Sequence, residues 1–350
     1  MHTAQTHRIT ETIEPAAHDA SSMTAVVQGR YGTADVYELR EIPRPTLGDH
    51  DVLVRVAAAG VDRGVWHLMT GRPHLTRVAF GLRRPRNPVP GLDVAGVVDT
   101  VGPRVTRFSE GDLVFGTGHG TFAQYARAEE DRLAGIPTNL AMTEASVLAV
   151  TGSTALQAVE DHGRVRPGDQ VLVLGASGGV GTFAVQIATA LGGTVTGVAS
   201  SDKLDLVREL GASHVIDYRT DDPLDERCRY DVIIDTGGNR RLRDLRRALA
   251  PTGTLVIVGG ETGGRWLGGT DRQIRAKLTS LVTRRQLTTF VAREDAGHLE
   301  RLADLVETGH VTPVVDRTFP LTDTADAITH LESGRTRGKI AIAIHTTEER

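Results

Sequence analysis

The chain has 350 residues, of which 39% are hydrophobic and 24% are charged, and its formal net charge is −4. This length is enough for two domains, and the mild acidity argues against a nucleic-acid partner. No apolar run reaches the roughly 18 residues that a membrane helix needs, so no membrane span is predicted. The single cysteine, Cys228, excludes an intramolecular disulfide and a thiolate-rich zinc site. These features predict a soluble, cytoplasmic protein.

The first part of the chain is predicted to be mostly β. Residues 1–22 are polar and predict a flexible N-terminal arm. Residues 23–146 show the alternation of apolar and polar residues that is typical of short strands, and glycine and proline separate these strand-like runs. Within them, the basic stretch 72–91 is predicted to be either a solvated surface loop or a lid on the substrate side.

The pattern of apolar and polar residues changes near Ser146. Residues 147–312 alternate apolar strand-like runs with amphipathic helices, a pattern typical of a parallel sheet that is covered on both faces. Residues 313–350 return to β character. The fold class is therefore α/β, with a doubly wound parallel sheet inserted into a mostly β domain. The predicted strands of the inserted sheet are Val171–Leu174, Val195–Val198, His214–Ile216, Asp231–Ile234, Thr254–Val258 and, at one edge, Leu287–Val291.

A glycine cluster follows the first of these strands, in "VLVLGASGGVG". Strand, tight turn and helix follow in sequence, as in a Rossmann-type dinucleotide-binding unit, although alanine replaces the first glycine of the usual fingerprint. A plain tight turn is the alternative. With no Cβ in the way, the backbone can approach a pyrophosphate, and N–H groups at the helix start can point at it. The residues predicted to hold the pyrophosphate are Ser177, Gly178, Gly179 and Val180.

The residues after the second strand predict NADP(H) rather than NAD(H). NAD-binding units place an acid there to bond the ribose hydroxyls, whereas this chain has Ser200 and Ser201. Small hydroxyls leave room for a 2′-phosphate, and Lys203 supplies the opposite charge. Ser201 can equally cap the next helix, and Asp202 would repel a phosphate if it pointed inward. Tyr218, after the third strand, is predicted to pack beside the adenine or to bond the phosphate; the alternative is an ordinary, partly buried tyrosine.

Ligands of open α/β sheets lie beyond the carboxyl ends of the strands. Glycine-rich turns follow two further strands there and are predicted to let a ribose and nicotinamide approach the main chain. The residues concerned are Thr236, Gly237, Gly259 and Gly260.

Five segments together resemble one family: "AVVQGRYGTADVYELREIPRP", "PVPGLDVAGVV", "GASGGVG", "LGASHVIDY" and "RGKIAIAI". The chain resembles the zinc-free, quinone oxidoreductase-like branch of the medium-chain dehydrogenase/reductase superfamily from about Met23 to Ile344. The resemblance implies a GroES-like catalytic domain split around a Rossmann domain, with NADPH as cofactor. It also implies reduction of a quinone or an activated carbon–carbon double bond. A homodimer through the edge strand near Leu287–Val291 is implied as well.

The resemblance also predicts that no metal is bound. Zinc-dependent relatives carry a cysteine near the position of Asp62 and a histidine near that of Leu92, and Cys228 lies far from both in sequence. His67 and His119 are interpreted as packed or surface residues rather than as replacement ligands.

The resemblance implies further residues of the active site. Asp62 stands where zinc-free relatives often have an asparagine near the nicotinamide, and Trp66 is predicted to wall the pocket or to belong to the core. Thr154 resembles the family's residue near the carboxamide, and Gly338 and Lys339 resemble its C-terminal cofactor contact.

The predicted reaction is metal-free hydride transfer from NADPH to an electron-poor carbon. Backbone N–H groups or the Thr154 hydroxyl would stabilise the developing enolate, and solvent would deliver the proton. Two alternatives stay open: a metal-free aldehyde or ketone reductase, and an NADPH-binding sensor or partner-binding module with little turnover.

Overall fold

The computed structural model describes residues 21–225, 229–259 and 285–344. Most of the predicted N-terminal arm, Cys228 and Gly260 lie outside these ranges. Within the described ranges, no helix is both long and apolar enough to cross a membrane.

The first part of the chain forms strands, as its alternating pattern predicts, but the segment after the third strand does not follow this pattern. It is a helix, because the Asp62 side chain accepts a hydrogen bond from the Val65 N–H at its start. Gly71, with φ of 59°, ends it. The elements are β1 (Ser22–Gln28), β2 (Tyr37–Pro43), β3 (Asp51–Val61), α1 (Arg63–Thr70), α2 (Arg77–Phe80), β4 (Asp93–Val101), β5 (Leu113–Thr117), β6 (Tyr125–Glu129), β7 (Leu133–Gly135) and α3 (Met142–Ala145).

Strands and helices then alternate as predicted. The helix-like stretch after Ser146 is α4, which continues into a π-helical segment, Gln157–Gly163. Each predicted strand is present, but the fifth begins at Leu249, five residues before the predicted Thr254, whereas the other ends differ by two residues or fewer. The elements are α4 (Ala149–Leu156), β8 (Gln170–Leu174), α5 (Gly179–Ala190), β9 (Thr194–Ala199), α6 (Leu204–Glu209), β10 (His214–Asp217), β11 (Tyr230–Asp235), α7 (Leu242–Ala248), β12 (Leu249–Ile257), β13 (Gln286–Thr289) and α8 (Ala296–Glu307).

The chain closes with β14 (Val315–Pro320), α9 (Thr324–Glu332) and β15 (Lys339–Ala343). β15 pairs antiparallel with β3, with Ile340 opposite Val61, and β14 pairs with β15. Both chain ends therefore build one sheet, ordered β14-β15-β3-β4-β5-β7, with β6 also paired to β3.

The inserted sheet is parallel and ordered β10-β9-β8-β11-β12-β13 among the described residues. Alternate side chains of β8 enter different cores: Val171 and Val173 face one, and Leu172 and Leu174 face the other. Both faces are thus covered, which explains the near-continuous apolar runs. The predicted α/β class, a Rossmann-type sheet inserted into a GroES-like β domain, is confirmed. The exact domain boundaries stay a prediction.

Candidate active site

The glycine turn joins β8 to α5, and its glycines serve two purposes. A Cβ added to Gly181 would lie 2.1 Å from the Gly175 carbonyl oxygen, so this position permits close packing of helix against strand. A Cβ on Gly178 would meet only that same oxygen, at 3.4 Å, and otherwise open space. Gly178 lines a cavity at the start of α5, where main-chain N–H groups lack helical partners. These N–H groups are suited to bind an anion, and that they hold a pyrophosphate stays a prediction.

This cavity has a volume of about 480 Å³ and lies between the two sheets. It receives residues from the glycine turn, from the carboxyl ends of the parallel strands and from the antiparallel sheet. Predicted site residues that line it are Asp62, Thr154, Ser177, Gly178, Gly179, Val180, Lys203, Thr236, Gly237, Gly259, Gly338 and Lys339.

A buried charge cluster lies at the catalytic-domain side of the cavity. Lys339 is 2% exposed, and its Nζ lies 3.2 Å from Asp93 Oδ2 and 3.7 Å from Asp62 Oδ2. Asp93 is fully buried and also accepts a hydrogen bond from the Val150 N–H at 2.7 Å. Burial raises the pKa of Asp93 to about 6; the Lys339 ammonium opposes this rise and the Asp62 carboxylate adds to it. Lys339, predicted as a cofactor contact, therefore forms a buried ion pair with Asp93.

Asp62 has one oxygen satisfied and one in need of a donor. Its Oδ1 caps α1 by accepting from the Val65 N–H at 3.0 Å. Its Oδ2 is buried and has no hydrogen-bond partner among the described residues, although the Lys339 ammonium is near. Because Asp62 lines the cavity, a hydroxyl of a bound ligand would supply the missing donor.

The Thr154 hydroxyl, which was expected to donate a hydrogen bond to an enolate, already has another acceptor. It donates to the Val150 carbonyl oxygen at 2.6 Å, so its proton is already used. Its oxygen keeps lone pairs and can accept from an amide N–H₂. Thr154 is thus suited to a carboxamide and not to stabilising an enolate.

Lys203 also lines the cavity and is almost fully buried. Its ammonium donates to the carbonyl oxygens of Gly334 at 2.9 Å and Thr336 at 2.8 Å, in the turn between α9 and β15. That turn also meets the glycine turn, because the Gly338 N–H donates to the Ser177 carbonyl oxygen. Burial lowers the pKa of Lys203, and Asp202 and Asp316 oppose the effect. Lys203 therefore has a structural contact that the sequence did not reveal.

The two serines predicted to receive a phosphate lie beside carboxylates. Ser201 Oγ donates to Asp217, and a hydrogen bond from the Ser200 side chain, with smaller contributions, holds the pKa of Asp202 below its ordinary value. Arg219 lies 3.7 Å from Asp202, which offsets part of this negative charge. Tyr218 is half exposed beside these groups. None of Ser200, Ser201 and Tyr218 lines the cavity itself within the described ranges.

On α1, the prediction that Trp66 walls the pocket needs correction, and His67 has a position that the sequence did not indicate. Trp66 does not line the cavity within the described ranges; its ring packs on the catalytic-domain core and its Nε1 donates to Glu332. His67, interpreted as a packed or surface residue, does line it. Its Nδ1 lies 2.8 Å from the Arg72 carbonyl oxygen, so Nδ1 carries a proton and Nε2 is the nitrogen available for proton exchange. Because the sequence did not predict α1 as a helix, it did not indicate that His67 points toward the cavity.

Other lining residues were also missed, among them Arg63, Thr151 and Asn239. Thr151 and Thr154 lie one turn apart on α4, and this spacing could have indicated that both face one side. Asn239 follows the predicted turn after β11, so its position was within reach of sequence reasoning. His119 lies away from this cavity, in a separate hollow.

Comparisons with known proteins agree with this architecture. Residues 48–138 match the alcohol dehydrogenase GroES-like domain, and residues 210–342 match the zinc-binding dehydrogenase family. The chain is 32% identical to an NADPH-dependent alkenal/one oxidoreductase of Arabidopsis thaliana, over 91% of this chain and 79% of that protein. It is 31% identical to a quinone oxidoreductase of Lama guanicoe, over 92% and 98%. The quinone oxidoreductase structure from Coxiella burnetii superposes with a TM-score of 0.79 at 27% identity, covering 93% of this chain and all of that one.

Fold, cavity and relatives together define a dehydrogenase/reductase that uses a nicotinamide cofactor. The chain belongs to the medium-chain dehydrogenase/reductase superfamily, as its sequence segments predicted, and has quinone and enone oxidoreductases among its relatives.

Proposed function

We propose that this protein is a zinc-independent, NADPH-dependent oxidoreductase that reduces a quinone or an activated carbon–carbon double bond. The observation that carries the proposal is the cavity of about 480 Å³, which is lined both by Gly178 of the glycine turn and by Asp62 and His67 of the catalytic domain. Relatives named as quinone and alkenal/one oxidoreductases support the substrate class.

The cavity residues fit a dinucleotide. The open space at Gly178 is where a side chain would obstruct a pyrophosphate, and the first turn of α5 offers N–H donors. Asp62 Oδ2 is suited to accept from a ribose or substrate hydroxyl, and Thr154 Oγ1 from a carboxamide. When bound, NADPH supplies a hydride, and the protein's task is to position the acceptor and to exclude water.

The same residues do not fit zinc. The positions near which zinc-dependent relatives carry ligands hold Asp62 and Leu92. The Lys339 ammonium lies 3.2 Å from Asp93 and 3.7 Å from Asp62, so it offsets one of the two negative charges and would repel a cation placed beside them. No group of three His, Cys, Asp or Glu side chains in the described ranges is arranged to hold a metal ion. Metal analysis of the purified protein tests this point, and one zinc per chain would contradict it.

Steady-state NADPH oxidation tests the reaction class. Quinones and α,β-unsaturated carbonyls should be reduced, because conjugation spreads the charge that a metal would otherwise stabilise. Saturated aldehydes and ketones should be poor acceptors. Preference for saturated carbonyls would instead identify a metal-free aldehyde or ketone reductase. Tight NADPH binding without turnover on any acceptor would identify a binding module.

Cofactor choice can be tested with two substitutions of opposite expected effect. If the 2′-phosphate lies near Ser201, Lys203→Ala should weaken NADPH binding by about tenfold to thirtyfold, with a smaller effect on NADH. Asp217→Asn removes a negative charge from the same place and should strengthen NADPH binding by about fivefold while leaving NADH unchanged. Fluorescence titration of both nucleotides measures these affinities. Equal losses for both nucleotides in Lys203→Ala would mean that Lys203 acts only by holding the Gly334–Thr336 turn.

A further inference from the structure

A basic segment free of acidic residues follows α1. Residues 72–86 contain five arginines and no Asp or Glu, in a chain whose net charge is −4. We call these residues the basic–apolar segment. Arg77 is turned inward, since its Nε donates to the Gly71 carbonyl oxygen and its guanidinium lies over the Tyr31 ring. The other four arginines are exposed and pair with no carboxylate within the described ranges; they are Arg72, Arg83, Arg84 and Arg86.

The same segment exposes large apolar side chains. Leu75 is 53% exposed, Val78 64%, Phe80 50% and Leu82 70%. Apolar side chains scattered singly over a surface are normal, but four within eight residues form a local patch. Half of the large apolar side chains exposed in the described ranges belong to it.

One hydrogen bond from outside the segment and one within it hold the backbone of the patch in place. Tyr31 Oη donates to the Gly81 carbonyl oxygen at 2.5 Å, and the Arg86 N–H donates to the Phe80 carbonyl oxygen at 2.8 Å. These bonds fix the backbone while the apolar side chains remain in water. The segment is therefore an ordered surface with unburied apolar area.

We propose that the basic–apolar segment docks this protein on a bilayer surface that carries anionic lipids. Apolar side chains flanked by arginines match the interfacial region of such a bilayer, where the apolar groups enter between the acyl chains and the cations lie at the phosphates. A nucleic acid would account for the arginines but would leave the four apolar side chains exposed.

The position of the segment gives docking a consequence. His67, which lines the cavity, is bonded through Nδ1 to the carbonyl oxygen of Arg72, the first residue of the segment. Docking would bring the catalytic-domain side of the cavity close to the lipid phase, where lipophilic acceptors concentrate. The proposal nevertheless stands apart from the proposed function, because membrane binding is measured without turnover.

Vesicle cosedimentation of the full-length protein tests the proposal. We expect binding to phosphatidylcholine vesicles that contain about 30% phosphatidylglycerol, no binding to pure phosphatidylcholine, and at least a tenfold loss when salt is raised from about 0.1 M to about 0.5 M. Absence of binding to the anionic vesicles would overturn the proposal.

Three double variants locate the contact. Arg83→Glu with Arg84→Glu should reduce the partition coefficient at least tenfold, and Phe80→Ser with Leu82→Ser should do the same by removing insertion. Arg208→Glu with Arg243→Glu makes the same change of net charge on the nucleotide domain and should alter binding less than twofold. Circular dichroism checks that each variant is folded.

Other outcomes would each refute docking by this segment. Equal losses in the control variant would mean that net charge alone is responsible. Loss in the charge variant but not in the apolar variant would exclude insertion. A wild-type dimer that the apolar variant converts to a monomer would make the patch an interface between two copies of the chain.

Discussion

At the scale of single residues, the most demanding feature is the ion cluster of Lys339, Asp93 and Asp62. Taking charges out of water is costly, and the cost is offset only while each charge keeps its partner. Lys339 and Asp93 are separated by 246 positions in the chain, so their pair also ties β15 to β4. The Val150 N–H, at the start of α4, completes the environment of Asp93.

We predict that Lys339→Met lowers the free energy of unfolding by about 3–5 kcal/mol near neutral pH, because it leaves Asp93 buried without its counterion. Arg40→Met is the control. Its ion pair with Glu38 is exposed and should contribute less than about 1 kcal/mol. Urea unfolding of both variants measures the difference.

The loss of stability in Lys339→Met should also depend on pH. The pKa of Asp93 is raised above its ordinary value of 3.8, so the folded state holds this proton more tightly than the unfolded state. The stability that this proton contributes is present at low pH and is lost as the pH rises through about 6. Without Lys339 the pKa should rise further, so the variant's loss should be larger near pH 8 than near pH 5. Equal losses at both pH values would contradict this account of Asp93.

At the scale of elements, we expect two glycines of the turn between β8 and α5 to have different roles, one in nucleotide binding and one in helix packing. We predict that Gly178→Ala leaves the fold intact but weakens nucleotide binding about tenfold or more, because its Cβ points into open space where the phosphates would lie. Gly181→Ala should instead lower stability, since its Cβ would collide with the Gly175 carbonyl oxygen at 2.1 Å. Thermal unfolding and nucleotide titration of both variants separate the effects. A destabilised Gly178→Ala of normal affinity would refute the assignment.

The start of α8 contains a pH-dependent contact. The Asp295 side chain caps the helix by accepting from the His298 N–H, and the ring of His298 contacts both Asp295 and Asp161. Burial lowers the pKa of His298, but its bonds to Asp161 and Asp295 outweigh this effect, so the pKa is raised overall.

A raised pKa in the folded state fixes the direction of the expected effect. The contact with protonated His298 should stabilise the protein below the ordinary histidine pKa of 6.5 and should lose this contribution as the pH rises through the raised value. His298→Gln should therefore cost more stability near pH 5.5 than near pH 9. His310→Gln, at an exposed position bonded to Thr308, is the matched control. A cost that is independent of pH would exclude the charged pair.

At the scale of the whole molecule, one core joins the two domains. It contains Phe115 of the antiparallel sheet together with Leu148, Phe183 and Leu302. Leu302 on α8 packs on α4, where a Cβ on Gly152 would meet its Cδ2 at 2.4 Å. The exposed pair of Arg107 and Glu300, 2.7 Å apart, lies at the same junction.

We predict that the domains unfold together. Leu302→Ala should cost about 2–5 kcal/mol and should lower hydrogen-exchange protection in β4 and β8 to a similar extent. A loss of protection confined to β8 would mean that the nucleotide domain unfolds independently.

Local patterns predicted the elements well. The strands of the parallel sheet were predicted to within two residues at each end, because apolar runs between glycine turns depend on neighbours in the sequence. The start of β12 was the exception, since it lies five residues before the predicted Thr254. The helix α1 was missed, since its signal depends on one capping side chain at Asp62 and on Gly71. The order of the strands was not readable from the residues either, because pairing joins segments that are far apart in the chain.

The candidate site was predicted less completely. The glycine turn and the residues after the parallel strands were placed at the cavity, since topology brings the carboxyl ends of such strands to one edge. The sequence left open whether Trp66 walls the pocket or belongs to the core, and it did not indicate that His67 lines the cavity, because the direction of each side chain on α1 depends on what the helix packs against. The roles of Lys203 and Lys339 were incomplete for a related reason: their partners lie more than 130 positions away.

By itself, the sequence determined the fold class, the split β domain, the glycine turn between β8 and α5 and the family, because these depend on local spacing and on short motifs. Only the tertiary structure decided that Lys339 neutralises Asp93, that Lys203 holds the turn before β15, and that His67 faces the cavity. It also exposed the basic–apolar segment. The physical reason is that burial and charge pairing are properties of the folded surroundings, which residues distant in the chain supply.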